Sequence, residues 1–124
     1  RNLGESFRFA ATGMVQALRS ERNMRIHITA AVMAVLLSHT LGLGRLETAI
    51  VVLATVIVIV AEMVNTALEH LVDLVTAEYH PLAAKVKNMA AGAVLAAAVG
   101  AAVVGIMIFG PRLVSMISRG EVKP

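Results

Sequence analysis

Apolar and polar positions alternate at helical spacing from the first turns of this chain. Phe7, Ala10, Ala11, Met14, Ala17 and Leu18 mark one face, and Arg8, Thr12, Gln16 and Arg19 the other. The pattern predicts a short amphipathic helix over residues 4–20, suited to lying in the headgroup plane of a membrane. Residues 20–27 read as a dense polar hinge. Residues 26–43 turn apolar, with His39 near their far end, and are long enough for a first membrane span. Gly42 and Gly44 supply the breaker and turn. A second helix is predicted over residues 46–76, about 45 Å long at the helical rise. Its first half is β-branched and aliphatic, and its last part carries charge. Residues 78–81 end it, and residues 82–88 read as a polar connector with Lys85 and Lys87. Residues 89–109 carry no charge and give a third span, which Gly110 and Pro111 should stop before a short mixed tail. Gly92, Ala96 and Gly100 form one small-residue row, and Ala93, Ala97, Ala101 and Gly105 another, of the kind that lets helices approach closely in lipid.

Composition agrees with this pattern. The 124 residues are 58% hydrophobic but only 3% aromatic, with a mean hydropathy of +0.80. That is bundle material for lipid-facing helices, in one membrane domain covering residues 1–124. Cysteine is absent, which excludes disulfides, thiol nucleophiles and thiolate metal sites. The isoelectric point near 10.0 reflects eleven Lys and Arg against eight Asp and Glu. On a membrane chain such an excess reports topology and anionic lipid rather than nucleic acid. The amino-terminal stretch lacks the continuous apolar core of a cleavable signal peptide, so none is expected.

The candidate chemistry lies at the end of the second predicted span. Glu62, Asn65, Glu69 and Asp73 are spaced three, four and four apart, so at about 100° per residue they share one helical face. Ionisable groups at the edge of a bilayer are costly and need partners. Three spans would put Arg1, Arg8, Arg19, Arg22, Arg25, Lys85 and Lys87 on one side, and Arg45, Arg112, Arg119 and Lys123 on the other. The bias places the amino terminus, and with it Glu21, the stripe, Glu78 and Lys87, on the cytoplasmic side. Hard cations such as Mg²⁺ take carboxylate oxygens together with substrate phosphates, and a lysine suits phosphate as a point charge. This is an arrangement for phosphoryl transfer, in which a carboxylate can act as general base toward a membrane alcohol. The competing reading is that the stripe hydrogen-bonds between helices and holds a non-catalytic oligomer together. His27, His39, His70 and His80, taken singly, read as interfacial or capping residues. No glycine-rich phosphate loop, kinase catalytic loop, CDP-alcohol transferase signature or membrane acid phosphatase signature is present.

The run Ala61-Glu62-Met63-Val64-Asn65-Thr66-Ala67-Leu68-Glu69, continued by Val72-Asp73, strongly resembles the signature of the small integral-membrane lipid kinases of bacteria, the prokaryotic diacylglycerol kinase and undecaprenol kinase family. Glu21-Arg22-Asn23, Glu78-Tyr79-His80-Pro81-Leu82 and Lys87-Asn88-Met89-Ala90-Ala91-Gly92 match as well, in the same order. The resemblance implies an all-α homotrimer of three-span subunits, each with an amino-terminal surface helix, in the bacterial plasma membrane, with sites shared between neighbours on the cytoplasmic side. It implies transfer of the ATP γ-phosphate to a lipid hydroxyl with Mg²⁺. Glu62 would be the catalytic base and Asn65 would orient the reacting groups. Glu21 and Glu69 would hold metal. Asp73 would contact the nucleotide, Glu78 and His80 would lie near the adenine, and Lys87 would neutralise the phosphates. The family usually has Lys-Asp where this chain has Lys87-Asn88, which puts nucleotide or metal affinity in question at Asn88. Residues 20–27 and the proline after His80 look more like the undecaprenol kinases than the diacylglycerol enzymes.

Overall fold

The computed structural model describes residues 1–121, all of whose regular structure is helical: α1 (Leu3–Ser20), α2 (Arg22–Thr40), α3 (Arg45–Val75) and α4 (Pro81–Glu121). Lys123, counted above toward the outer side, lies outside the described residues.

Local chemistry sets each boundary. The Asn2 side chain accepts from the Glu5 amide at 2.9 Å, and the Glu5 carboxylate accepts from the Asn2 amide at 3.2 Å, a reciprocal capping box that starts α1. The expected hinge over residues 20–27 contracts to one extended residue, Glu21. Arg25 Nη1 donates to the carbonyls of Leu18 (3.1 Å) and Arg19 (3.0 Å), so the open end of α1 is satisfied from the next helix and no loop is needed. The α2 helix therefore begins at Arg22 rather than 26. It stops at Thr40, three residues before the expected end, because Gly42 takes φ +66°. The amide of Gly42 donates to the His39 carbonyl and that of Leu43 to the Ser38 carbonyl, the two bonds of a Schellman reversal.

The largest correction concerns α4. It was expected over residues 89–109 and runs instead from Pro81 to Glu121. Proline suits the first helical position, where its missing N–H would have no partner, and His80 Nδ1 accepts from the Leu82 amide at 3.1 Å as a cap. Residues 82–88 are thus the opening turns of α4, not a connector. At the other end Gly110 and Pro111 do not stop the helix. Proline deletes one backbone bond, and a helix of this length continues on either side of the gap.

The α3 helix packs against both α2 and α4, while α1 touches α2. On α2 the inward row is Met24, His27, Ala31, Ala34 and Ser38; on α3 it is Val51, Thr55, Val58, Glu62, Asn65 and Glu69. Both rows alternate steps of three and four, the spacing of shallow-angle helix pairs. The buried apolar set is small: Met24, Ala31, Val51, Val58 and Ala90. Glu62 and Thr66 are buried with them.

The chain exposes 9223 Å², against about 6,300 Å² expected from mass for a soluble monomer of this size. Large apolar side chains contribute to it, among them Leu53, Ile57, Leu95, Val99, Ile106 and Met107. Two helices, α3 and α4, are each long and apolar enough to cross a membrane. The α2 helix, with Arg22, Arg25, His27 and His39 among its 19 residues, does not meet that test of composition. Gly92, Ala96 and Gly100 all face outward, and a Cβ at either glycine would touch nothing within this chain.

Candidate active site

The polar stripe of α3 is an extension of its packing face. Val51 and Val58 are buried, and the next steps of the same row bring Glu62 and Thr66 to 4% and 8% exposure. Beyond them the stripe rises out of the bundle: Asn65 and Glu69 are half-buried and Asp73 is exposed. One helical face thus passes from apolar core through a buried carboxylate to a solvated one.

Each member of the stripe has a different partner. Glu62 Oε2 lies 3.6 Å from His27 Nε2 on α2, at ion-pair range and slightly beyond a hydrogen bond. Asn65 Nδ2 donates to Glu69 Oε1 at 3.3 Å one turn on, while Asn65 Oδ1 is buried with no partner. Lys87 Nζ donates to Asp73 Oδ1 at 2.6 Å, joining α4 to α3. Glu21, at the α1–α2 junction, is half-buried, and Ser20 Oγ donates to its Oε1 at 3.4 Å. Glu78 and His80 are exposed in the five-residue link before α4. There Thr76 Oγ1 donates to the Glu78 carbonyl at 3.1 Å, and His80 caps the helix. Asn88 is exposed beside Lys87.

Levels along the bundle explain how Glu21 relates to the stripe. The α2 and α3 helices run antiparallel through the tight turn at Gly42, with His27 and Glu62 opposite each other. From there Glu21 is six residues back on α2 and Glu69 seven forward on α3, about 9 and 10.5 Å in the same direction. The two carboxylates therefore stand at one depth. Among the described residues no three His, Asp or Glu side chains converge tightly enough to enclose a metal ion. Mg²⁺ binds through one or two carboxylates plus phosphate oxygens and water rather than an all-protein cage, so Glu21 and Glu69 have the chemistry that would fit it. Asn65 Oδ1 is a buried acceptor without a partner, on the residue whose Nδ2 donates to Glu69.

The structure thus pairs Asn65 with Glu69 and Asp73 with Lys87, levels Glu21 with Glu69, and leaves Glu78, His80 and Asn88 at the solvent-facing rim. Sequence reasoning did not find the partner of Glu62. Its signal lay in the three-and-four row from Met24 to Ser38, which carries His27 onto the inner face of α2. At the far end of the bundle, Arg112 Nη2 donates to Glu47 Oε2 at 3.3 Å and Nη1 to the Leu41 carbonyl at 3.4 Å, a clasp equally absent from the sequence reading.

This arrangement meets a family pattern. The family model described as prokaryotic diacylglycerol kinase matches residues 8–109. The chain belongs to that family. The matched segment takes in every residue of the candidate site. The chain is similar to a protein of Synechocystis named diacylglycerol kinase, 40% identical over 94% of this chain and 67% of that protein. It is similar also to the Bacillus subtilis protein named undecaprenol kinase, 38% identical over 88% of this chain and 89% of that one. The Escherichia coli diacylglycerol kinase is 29% identical over 73% of this chain and 75% of its own length.

Proposed function

We propose that this lipid kinase transfers the γ-phosphate of ATP to undecaprenol, using Glu62 as the base. The buried Glu62 carboxylate carries the reading: it is 4% exposed, just past the apolar part of its helix face, and one helical turn from a buried acceptor without a partner. A carboxylate held so deep is retained at a cost unless it has work at the reacting centre. Glu62 takes the proton of the lipid hydroxyl as that oxygen bonds to the γ-phosphorus; the bond from phosphorus to the bridging oxygen breaks and ADP departs. Asn65 orients the hydroxyl and the phosphate through its free Oδ1. Lys87 shifts from Asp73 onto the phosphates and neutralises charge building on them. Glu78 and His80, on the exposed link, border the base of the nucleotide, and Asp73 and Asn88 line the approach to it. Glu21 and Glu69 are the residues that would hold Mg²⁺, which would supply charge neutralisation to the phosphates when bound.

The assembly we propose has α2 as a third span, about 28 Å long at the helical rise and so close to one hydrocarbon thickness. Three such subunits form the trimer, with the site on the cytoplasmic side of the bacterial plasma membrane. The surplus of exposed apolar surface and the outward row at Gly92, Ala96 and Gly100 support partners beyond lipid.

Undecaprenol is favoured by the character of residues 20–27, and by the relative named undecaprenol kinase, which aligns over 89% of its length. Diacylglycerol is the second reading, favoured by the 40% identity to the Synechocystis protein. Purified protein in mixed micelles, given γ-labelled ATP, Mg²⁺ and equal mole fractions of the two lipids, should label undecaprenol. Label in diacylglycerol alone would overturn the acceptor; label in neither would overturn the kinase reading.

A further inference from the structure

The proposed reaction names a base but not what aims it. We infer that His27 is the positioning residue for Glu62: its Nε2 fixes the rotamer of the carboxylate so that one oxygen is presented to the lipid hydroxyl. This inference rests on the reading of Glu62 as the base.

Glu62 is 4% exposed, and among the described residues the one polar side chain found beside its carboxylate is His27. The one group of opposite potential charge within ion-pair range is His27 Nε2, at 3.6 Å from Oε2. An isolated buried carboxylate is costly and rotationally free, and a single donor from a second helix remedies both. The two side chains come from different helices at matched steps of their inward rows, so the approach is set by packing and not by a flexible loop. The ring has room to adjust: His27 also borders a cavity of about 260 Å³ lined by Ala30, Ala31, Thr55, Val58 and Ala98, and its side chain is 23% exposed. From 3.6 Å, a movement of the ring by about 0.4 Å brings Nε2 within hydrogen-bond length of Oε2. With Oε2 engaged by the imidazole, Oε1 is the oxygen the inference assigns to the substrate hydroxyl.

The experiment is a comparison of three substitutions in the full chain. His27→Gln keeps a donor where Nε2 stands, His27→Phe keeps the ring volume without a donor, and His27→Ala removes both. Steady-state kinetics with ATP, Mg²⁺ and undecaprenol should show kcat lowered about 10²-fold in the Ala and Phe variants, the order expected when a reacting group is misplaced by an ångström. KM for ATP should be unchanged, and the Gln variant should recover most of the rate. In the Glu62→Gln background, His27→Phe should change nothing further. Full activity in the Phe variant would overturn the inference, since packing alone would then suffice. An additional loss in the double variant would overturn it as well, because His27 would be acting apart from Glu62. If Glu62→Gln is inactive while all three His27 variants keep wild-type kcat, only the positioning role fails. If Glu62→Gln itself remains active, the base assignment fails and the inference with it.

Discussion

Lys87 Nζ and Asp73 Oδ1 lie 2.6 Å apart across the hairpin of α3 and α4. The pair is the counterpart, at the site end of the hairpin, of the clasp between Arg112 and Glu47. Lys87 and Arg112 are separated along α4 by about 38 Å of helix without a charge, somewhat more than a hydrocarbon core. Each end of the hairpin is thus tied by one ion pair, but the two pairs differ in role: only the Lys87 end adjoins the site.

Removing the cation at the site end should be felt in catalysis. Lys87→Met is expected to lower kcat/KM for ATP by about 10²–10³-fold, the usual effect of losing one electrostatic stabiliser of a developing charge. Asp73→Asn should raise KM for ATP about tenfold with kcat little changed, because the lysine loses its resting anchor. Both side chains are partly exposed, so thermal unfolding should shift by no more than about 1 kcal/mol. Initial-rate kinetics over ATP concentration, with a melting curve for each variant, checks both halves.

The opposite clasp should do the reverse. Glu47→Gln and Arg112→Gln, at the far end of the hairpin, should leave kcat and KM within twofold and cost about 1 kcal/mol or less of stability each. The Arg112 change should cost more than the Glu47 change, since Nη1 also holds the Leu41 carbonyl at the end of α2. A double-mutant cycle read by thermal unfolding would measure the coupling. A tenfold loss of activity in either would contradict the assignment of the site to the Lys87 end.

Glu62→Gln keeps the size of the buried side chain and one oxygen. It is expected to lower kcat by about 10²–10⁴-fold, the range of a general base, with the proposed trimer intact by size-exclusion chromatography. Dissociation of the oligomer with that substitution would instead favour the stripe as an assembly seam.

Asn88 is exposed next to Lys87. Asn88→Asp should therefore leave folding unchanged, and any effect should appear in ATP and Mg²⁺ kinetics alone. A rise in kcat/KM of about tenfold, one charge-assisted contact restored, is the expected result. No change in rate or metal dependence would show that the amide serves as well as the carboxylate.

Gly42 tests the fold independently of the chemistry. At φ +66° with no neighbour near its Cβ position, Gly42→Ala suffers only the left-handed backbone penalty, about 1–2 kcal/mol. The result should be a lower unfolding midpoint at unchanged KM.

Much of this protein was legible in one dimension. The helical periods of α1 and α3, the apolar length of α3 and of the middle of α4, and the row from Glu62 to Asp73 are local properties of the chain. A helix repeats every few residues, so its face can be read without knowing what it packs against. Element ends were less legible because they depend on partners elsewhere. Arg25 closes α1 from the following helix and shrinks the hinge to Glu21, the His80 cap starts α4 at Pro81, eight residues before its apolar run begins, and α4 carries on through Pro111.

The sequence by itself thus determined that this is a helical membrane chain with a carboxylate stripe, a lysine beyond it and a family signature running through both. Only the tertiary structure decided which side chains meet. The pairs His27–Glu62, Lys87–Asp73 and Arg112–Glu47 each join two helices, and their contact depends on interhelical register, which periodicity along one helix cannot specify. Register follows from side-chain packing between the rows of α2, α3 and α4, where small residues let the backbones close in and hold the charged groups at matching depths.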